Sequence, residues 1–192
     1  MKRLLLYLFG ALVLLSQSSC GYNTMVAKDS AVDAQWAKVQ SAYQRRADLI
    51  PNLVNTVKGA ANFEKSTLTE VIEARAKATS IQLSADQLTP ENIQKFQAAQ
   101  AQLSGSLSRL LASVEAYPQL RANENFLALQ SQIEGTENRI NVERNKFNDA
   151  VQDYNTYIRS FPNNIIAGWF DFEKKGFFAA DPSAQNAPRV EF

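Results

Sequence analysis

FLALQSQIEGTENRINVERNKFNDAVQDYNTYI, residues 126–158, carries an aromatic or aliphatic residue at every seventh position: Phe126, Ile133, Ile140, Phe147 and Tyr154. Leu129, Val151 and Ile158 join them. An apolar position that recurs every seven residues keeps one seam of a helix facing a partner helix over many turns. The stretch therefore predicts a long helix with a buried stripe, closed by Phe161-Pro162, and it calls for other helices to bury that stripe.

Working toward the N-terminus, those partners are present. Val32, Trp36, Val39, Tyr43, Ala47, Ile50, Val54 and Val57 follow spacings of three and four, the pattern of an amphipathic helix. Pro51 lies inside this stripe without breaking its register, which predicts a kink and not a stop, and Gly59 loosens the end. A second helix is expected over Phe63–Ile81, with Leu68, Val71, Ile72 and Arg75 on its inner side. Gln82 to Thr89 reads as a polar loop. Thr89-Pro90-Glu91 is a helix start, with threonine as cap and proline at the first helical position. A third helix follows, with Ile93, Phe96, Gln100, Leu103, Leu107, Leu110, Val114 and Tyr117 on one side and Pro118 at its end. The expected fold is all-α, an up-and-down four-helix bundle of long helices. The tail, residues 163–192, is rich in Trp and Phe among Gly, Pro, Asn and Ala, and is expected to be irregular. Its rings either pack back on the bundle or touch a membrane or partner; packing is the commoner outcome.

Residues 1–20, MKRLLLYLFGALVLLSQSSC, have two cations, an apolar run from Leu4 to Leu15, and small polar residues before Cys20. That is the pattern of a bacterial secretory signal. The run is twelve residues long, short of the roughly 20 that span a bilayer. The segment resembles a lipoprotein signal in which Cys20 becomes the acylated first residue; Ser18, Ser19 and Gly21 suit such a site, and Gln17 departs from its usual apolar residue. Acyl chains gain about 0.8 kcal/mol per buried CH₂ and would hold the chain firmly. An uncleaved single-pass anchor and an ordinary secretory signal are the alternatives. The expected division is residues 1–19 as signal or anchor, 20–162 as helical bundle, and 163–192 as tail packed on the bundle.

Composition narrows the chemistry. The 192-residue chain has no histidine and one cysteine, so histidine-based triads, histidine metal sites, thiolate cages and an internal disulfide are all excluded. Setting Lys2 and Arg3 aside leaves 18 cations against 19 anions, a net charge of −1, without the basic footprint of a nucleic-acid binder. No catalytic, cofactor or metal site is expected, and no small-molecule substrate. What stands out is charge on the seams. Arg46 adjoins the inner line of the first helix, beside Arg45 and Asp48, and Glu137 and Arg144 fall on the seam of the fourth. A buried charge must be paired and hydrogen-bonded. This predicts a structural network joining Arg45 or Arg46 to Glu137, and Arg144 to Glu115 or Asp48. The alternative is that these long side chains reach solvent at the seam edge.

Three blocks of sequence resemble the LemA family. Tyr22-Asn23, Arg45 through Val54 (RRADLIPNLV) and Val57-Lys58-Gly59 match its first signature. Glu115 through Leu120 (EAYPQL), Ala122-Asn123 and Phe126 match the second. Thr136 through Ile140 (TENRI), Arg144, Phe147-Asn148, Ala150-Val151 and Tyr154-Asn155 match the third, with Phe161-Pro162 and the terminal Val190-Glu191-Phe192 after them. The resemblance implies an all-α bundle of bacterial membrane-associated proteins with no established catalytic activity. Relatives occur near genes for membrane peptidases and small envelope domains, and one branch is linked to magnetosome membranes. Many relatives carry an uncleaved transmembrane helix; this sequence departs from them in having Cys20. The functional expectation is a membrane-anchored, non-catalytic interaction or scaffolding protein of the cell envelope, with protein partners there. An adaptor of an envelope membrane peptidase is the alternative, and a carboxylate-dependent hydrolase is a third reading.

Overall fold

The stripe from Val32 to Val57 is buried along its length, and one helix carries it: α1 (Lys2–Lys58), which runs through Pro51 without ending. Proline removes one backbone hydrogen bond, but Ile50 and Leu53 on either side of it are at most 1 % exposed, so packing holds the helix together. The computed structural model describes the backbone of residues 2–59 and 63–179, and the side chains of 21–59 and 63–179. The side chains of the leader, Cys20 included, and residues 180–192 lie outside that description.

All regular structure among the described residues is helical. After α1 come α2 (Lys65–Ser80), a 3₁₀ turn at Ala85–Gln87, α3 (Pro90–Val114), α4 (Pro118–Arg121), α5 (Glu124–Arg159) and α6 (Asn163–Trp169). Four of these are the long helices read from periodicity. Two short ones are additional: Pro118 opens α4 as well as closing α3, and Asn163–Trp169 is helical where an irregular tail was expected. The expected polar loop is likewise only partly polar, because Leu83 and Leu88 are buried within it.

The chain forms two compact units. The first takes residues 1–48 and 132–175, and so contains the start of α1, most of α5, and α6. Trp36 of α1 packs on Phe147 of α5, ring centroids 5.4 Å apart, with Ile140, Val151, Tyr154 and Ile158 buried along the same α5 face. Helix α6 is stopped two residues past Trp169 by Asp171, whose φ is 56°; this left-handed turn lets the Phe172 N–H donate to Ala167 O at 3.0 Å, a Schellman-type stop.

The second unit takes residues 49–131 and the described chain from 176 onward. Helix α2 packs along α3, and its buried line is Leu68, Val71, Ala74 and Ala78. Ile72, expected inside, is 52 % exposed; the small side chains of Ala74 and Ala78 rotate the contact face away from it. The buried Gln100 side chain donates to Ala78 O at 3.2 Å, serving a carbonyl that the end of α2 leaves open. At the start of α3, Thr89 Oγ1 accepts from Asn92 N–H at 3.3 Å, with Pro90 next to it.

The segment after Phe172 is extended and held mainly by side chains. In the second unit Gln97 grips Ala179 through both backbone groups, each bond 3.0 Å, and buried Phe178 meets Phe96 edge-on. Gly176 N–H donates to Leu88 O at 2.8 Å. A Cβ on Gly176 would stand 2.6 Å from Pro90 Cα, and neither backbone can yield cheaply. Gly176→Ala is accordingly expected to lose about 1–3 kcal/mol, the usual loss from overpacking. Urea unfolding followed by circular dichroism checks it, and an unchanged midpoint would contradict this docking.

Candidate functional site

The first unit concentrates its buried polar groups between α1 and α5. Both helices present apolar residues at most inward positions, so the exceptions must satisfy each other. Most of them fall in three successive clusters.

In the first cluster, Arg46 is 1 % exposed. Its Nη1 donates to Glu137 Oε2 at 2.7 Å, and its guanidinium lies 5.2 Å from the Tyr43 ring centroid, within cation–π range. Arg144 hydrogen-bonds the Tyr43 hydroxyl. Burial pushes that phenol above its ordinary value, and the neighbouring Arg144 and Arg46 charges oppose the shift only in part. Tyr43 therefore keeps its proton at neutral pH.

The second cluster centres on Glu143, 1 % exposed. Gln35 Nε2 donates to its Oε2 at 2.7 Å and to its backbone carbonyl at 3.3 Å. Arg139 and Lys146 approach Oε1 at 2.8 and 3.4 Å. The Gln35 hydrogen bond, against the opposing effect of burial and helped by Lys146 and Arg139, holds the Glu143 carboxyl below its ordinary 4.5. The unfolded chain then takes up this proton before the folded one does, so the stabilisation is complete above pH 4.5 and disappears as pH falls below it toward the folded value. Wild type is expected to lose more stability than Glu143→Gln between pH 5 and the folded value. Urea midpoints of both chains across that range test this, and parallel curves would refute it.

The third cluster ties the extended segment to both helices. Lys175 Nζ lies 2.6 Å from Asp29 Oδ1 and 2.9 Å from Asp33 Oδ1 on α1, and 5.6 Å from the centroid of the Tyr154 ring. Asn155 brackets the Lys175 backbone, accepting from its N–H at 3.0 Å and donating to its carbonyl at 2.9 Å. The Tyr154 hydroxyl donates to Glu173 O at 3.0 Å. Burial raises this phenol, and Asp29, Asp33 and Glu173 raise it further.

The residues singled out from sequence separate. Arg46 and Glu137 meet, and Arg144 hydrogen-bonds Tyr43. Arg45 is exposed and lines a shallow groove with Ala37, Lys38, Ser41, Ala42 and Arg139. Asp48 is exposed and accepts from Gln44 Nε2 at 2.7 Å. Glu115 belongs to the second unit, exposed at the C-cap of α3. Sequence reasoning missed Gln35, Glu143, Asp29, Asp33 and Lys175. For Glu143 a signal existed: it lies three residues after Ile140 and four before Phe147, on the seam itself. Chemically, these carboxylates are engaged by cations or amides, and both phenols are raised. Such groups are poorly poised to take or deliver protons near neutrality; they are well suited to fix the register of two helices.

Comparison with known proteins adds to this geometry. The LemA family model matches residues 35–192. Protein LemA of Metamycoplasma hominis is 23 % identical over 158 residues, covering 82 % of this chain and 68 % of that protein. Magnetosome protein MamQ 2 of Paramagnetospirillum magneticum is 27 % identical over 180 residues, and magnetosome protein MamQ of Magnetospirillum gryphiswaldense 25 % over 179, each alignment covering 84 % of this chain and 66 % of the relative. The chain thus spans about two thirds of the length of these curated relatives.

Proposed function

The chain belongs to the LemA family, and on that basis we propose that it is a membrane-anchored, non-catalytic interaction module of the bacterial cell envelope. The observation that carries the reading is the way α1 runs unbroken from the apolar leader into the body of the protein. Either anchor, an uncleaved apolar run or a lipid on Cys20 as the first residue, would then lead directly into α1. The buried polar clusters support a scaffolding role, because their charges are used in holding α1, α5 and the extended segment together. In this reading the four long helices form an up-and-down bundle, Cys20 carries the lipid, and protein partners sit in the same membrane. Confinement to one surface raises effective concentration without any new contact. The relatives named as magnetosome proteins are consistent with work at a membrane. Among the described residues no helix is long and apolar enough to cross one.

Fractionation of cells expressing the full chain tests the proposal. The wild type is expected to float with membranes after an alkaline wash and to incorporate labelled fatty acid, and Cys20→Ser to lose the label. A wild-type chain recovered free of membranes would sink the anchored reading; label persisting on Cys20→Ser would sink the lipid alone. In-cell cross-linking addresses the partners, and consistent recovery of a membrane peptidase would favour an adaptor over a general scaffold.

A further inference from the structure

The large exposed hydrophobics of the first unit are not scattered. With Val142 as the exception, all of those among the described residues fall at one end: Tyr22 and Val26 on α1, and Phe161, Ile165, Trp169 and Phe170 on or beside α6. Trp169 is 76 % exposed and Phe161 81 %. Single exposed apolar residues need no explanation, but a cluster does.

Helix α6 is two-sided. Ala167 is buried and Ile166 half-buried. A Cβ on Gly21 would meet Ile166 Cδ1 and Asn163 Oδ1 at 3.2 Å, so this face lies tight against α1. The opposite face carries Ile165 and Trp169, four residues apart and hence one above the other on the helix surface. Phe170 extends the patch back to α1, its ring 4.8 Å from that of Tyr22.

The position of this patch along α1 identifies what covers it. Gly21 directly follows Cys20, the candidate lipid site, and Tyr22 lies seven residues after Leu15, the end of the apolar run. Seven residues of helix advance about 10 Å, and the headgroup layer beyond the hydrocarbon is about 5–8 Å deep. Acyl chains on Cys20 would therefore bring the patch into this layer, since Tyr22 stands two residues, about 3 Å of helix, beyond the acylated residue; with Leu4–Leu15 inserted instead, a tilted α1 would bring it to the outer edge of the same layer. Trp and Tyr favour this layer because their rings are apolar with a polar edge. The charges flanking the patch are Arg159, Asp171, Glu173 and Lys174, two of each sign, so apolar contact and not attraction to anionic lipid would drive the docking.

We propose that the outward face of α6, with Phe170 and the Tyr22–Val26 turn of α1, lies in the headgroup layer of the membrane that anchors the chain. This α6 patch is a second, reversible membrane contact that sets how the helices stand on the bilayer. It rests on the anchored reading above, and the test separates the two.

The chain has two tryptophans. Trp36 is buried at 2 % exposure, so the difference in emission between wild type and Trp169→Phe reports Trp169. Full-length wild type and Trp169→Phe are reconstituted into phosphatidylcholine vesicles, with and without bromine high on the acyl chains, and floated. The Trp169 emission is expected to fall about twofold or more with bromolipid, as for an interfacial ring, with loss of access to aqueous iodide. Added phosphatidylglycerol or salt should leave both unchanged. Vesicles that float with the chain while Trp169 stays open to iodide and untouched by bromine overturn the docking alone. A chain that fails to float overturns the anchored reading and the docking with it. Shielding of Trp169 that appears without lipid and grows with protein concentration would assign the patch to a second copy and overturn the proposal.

Discussion

Phe147→Ala is expected to lose about 3–5 kcal/mol of folding free energy, the range for deleting a buried phenylalanine. Phe147 is fully buried and occupies the fourth of the five heptad positions that open the sequence reading. Its ring meets Trp36 across the α1–α5 contact, and a tilted aromatic pair contributes about 0.5–1.5 kcal/mol beyond the area it buries. Alanine removes both contributions and leaves a void that a seam packed between two long helices closes only in part. Phe147→Leu keeps most of the volume and is expected to lose less than half as much. Phe170→Ala removes an equally large ring, but from a site 57 % exposed, and is expected to stay within about 1 kcal/mol of wild type. Urea unfolding by circular dichroism compares all three. If Phe147→Ala and Phe170→Ala were equally mild, the packing of α1 on α5 described above would be wrong.

That comparison also shows where the sequence was readable. Apolar residues repeating every three, four or seven positions can be buried together in only one way, so Phe126 through Tyr154, the α1 stripe and the Thr89-Pro90 start of α3 were all legible. Polar residues carry no such signature. The residues flanking each heptad position come in two rows, one three residues on (Thr136, Glu143) and one four residues on (Glu137, Arg144). A small rotation of the helix decides which row turns inward, and the repeat does not encode that rotation. Read from sequence, the row four residues on lies at the seam, while the structure buries the row three residues on, which is how Glu143 escaped. The same rotation put Ala74 inside and Ile72 outside on α2. The extended segment was illegible for another reason. Its backbone is satisfied by the side-chain amides of Asn155 and Gln97, which lie 58 positions apart in the chain, and no local pattern marks that arrangement. Cys20 stands apart: its significance is read from the sequence around it, and chemistry at its sulfur decides it.

Removing Glu137 is expected to cost more than removing Arg46, although the two form one ion pair. The reason is where each charge goes when its partner is lost. The Arg46 side chain is 1 % exposed and that of Glu137 43 %. In Arg46→Met the carboxylate turns to water, and the methionine keeps much of the packing of the arginine stem; the expected loss is about 1 kcal/mol or less, as for partners that remain solvated. In Glu137→Ala the guanidinium keeps its charge in a site nearly closed to solvent, near Arg144, and loses its carboxylate partner while the Tyr43 ring stays beside it. A buried charge stripped of its partner typically costs about 3–5 kcal/mol, and the partial exposure of Glu137 puts this case at the low end. The double variant should recover part of that loss, since it removes the stranded charge; a double-mutant cycle in urea yields the coupling directly. Equal losses in the two single variants would mean that Arg46 is satisfied through Tyr43 and its other neighbours, and the ion pair would then have no part in fixing the register of α1 on α5.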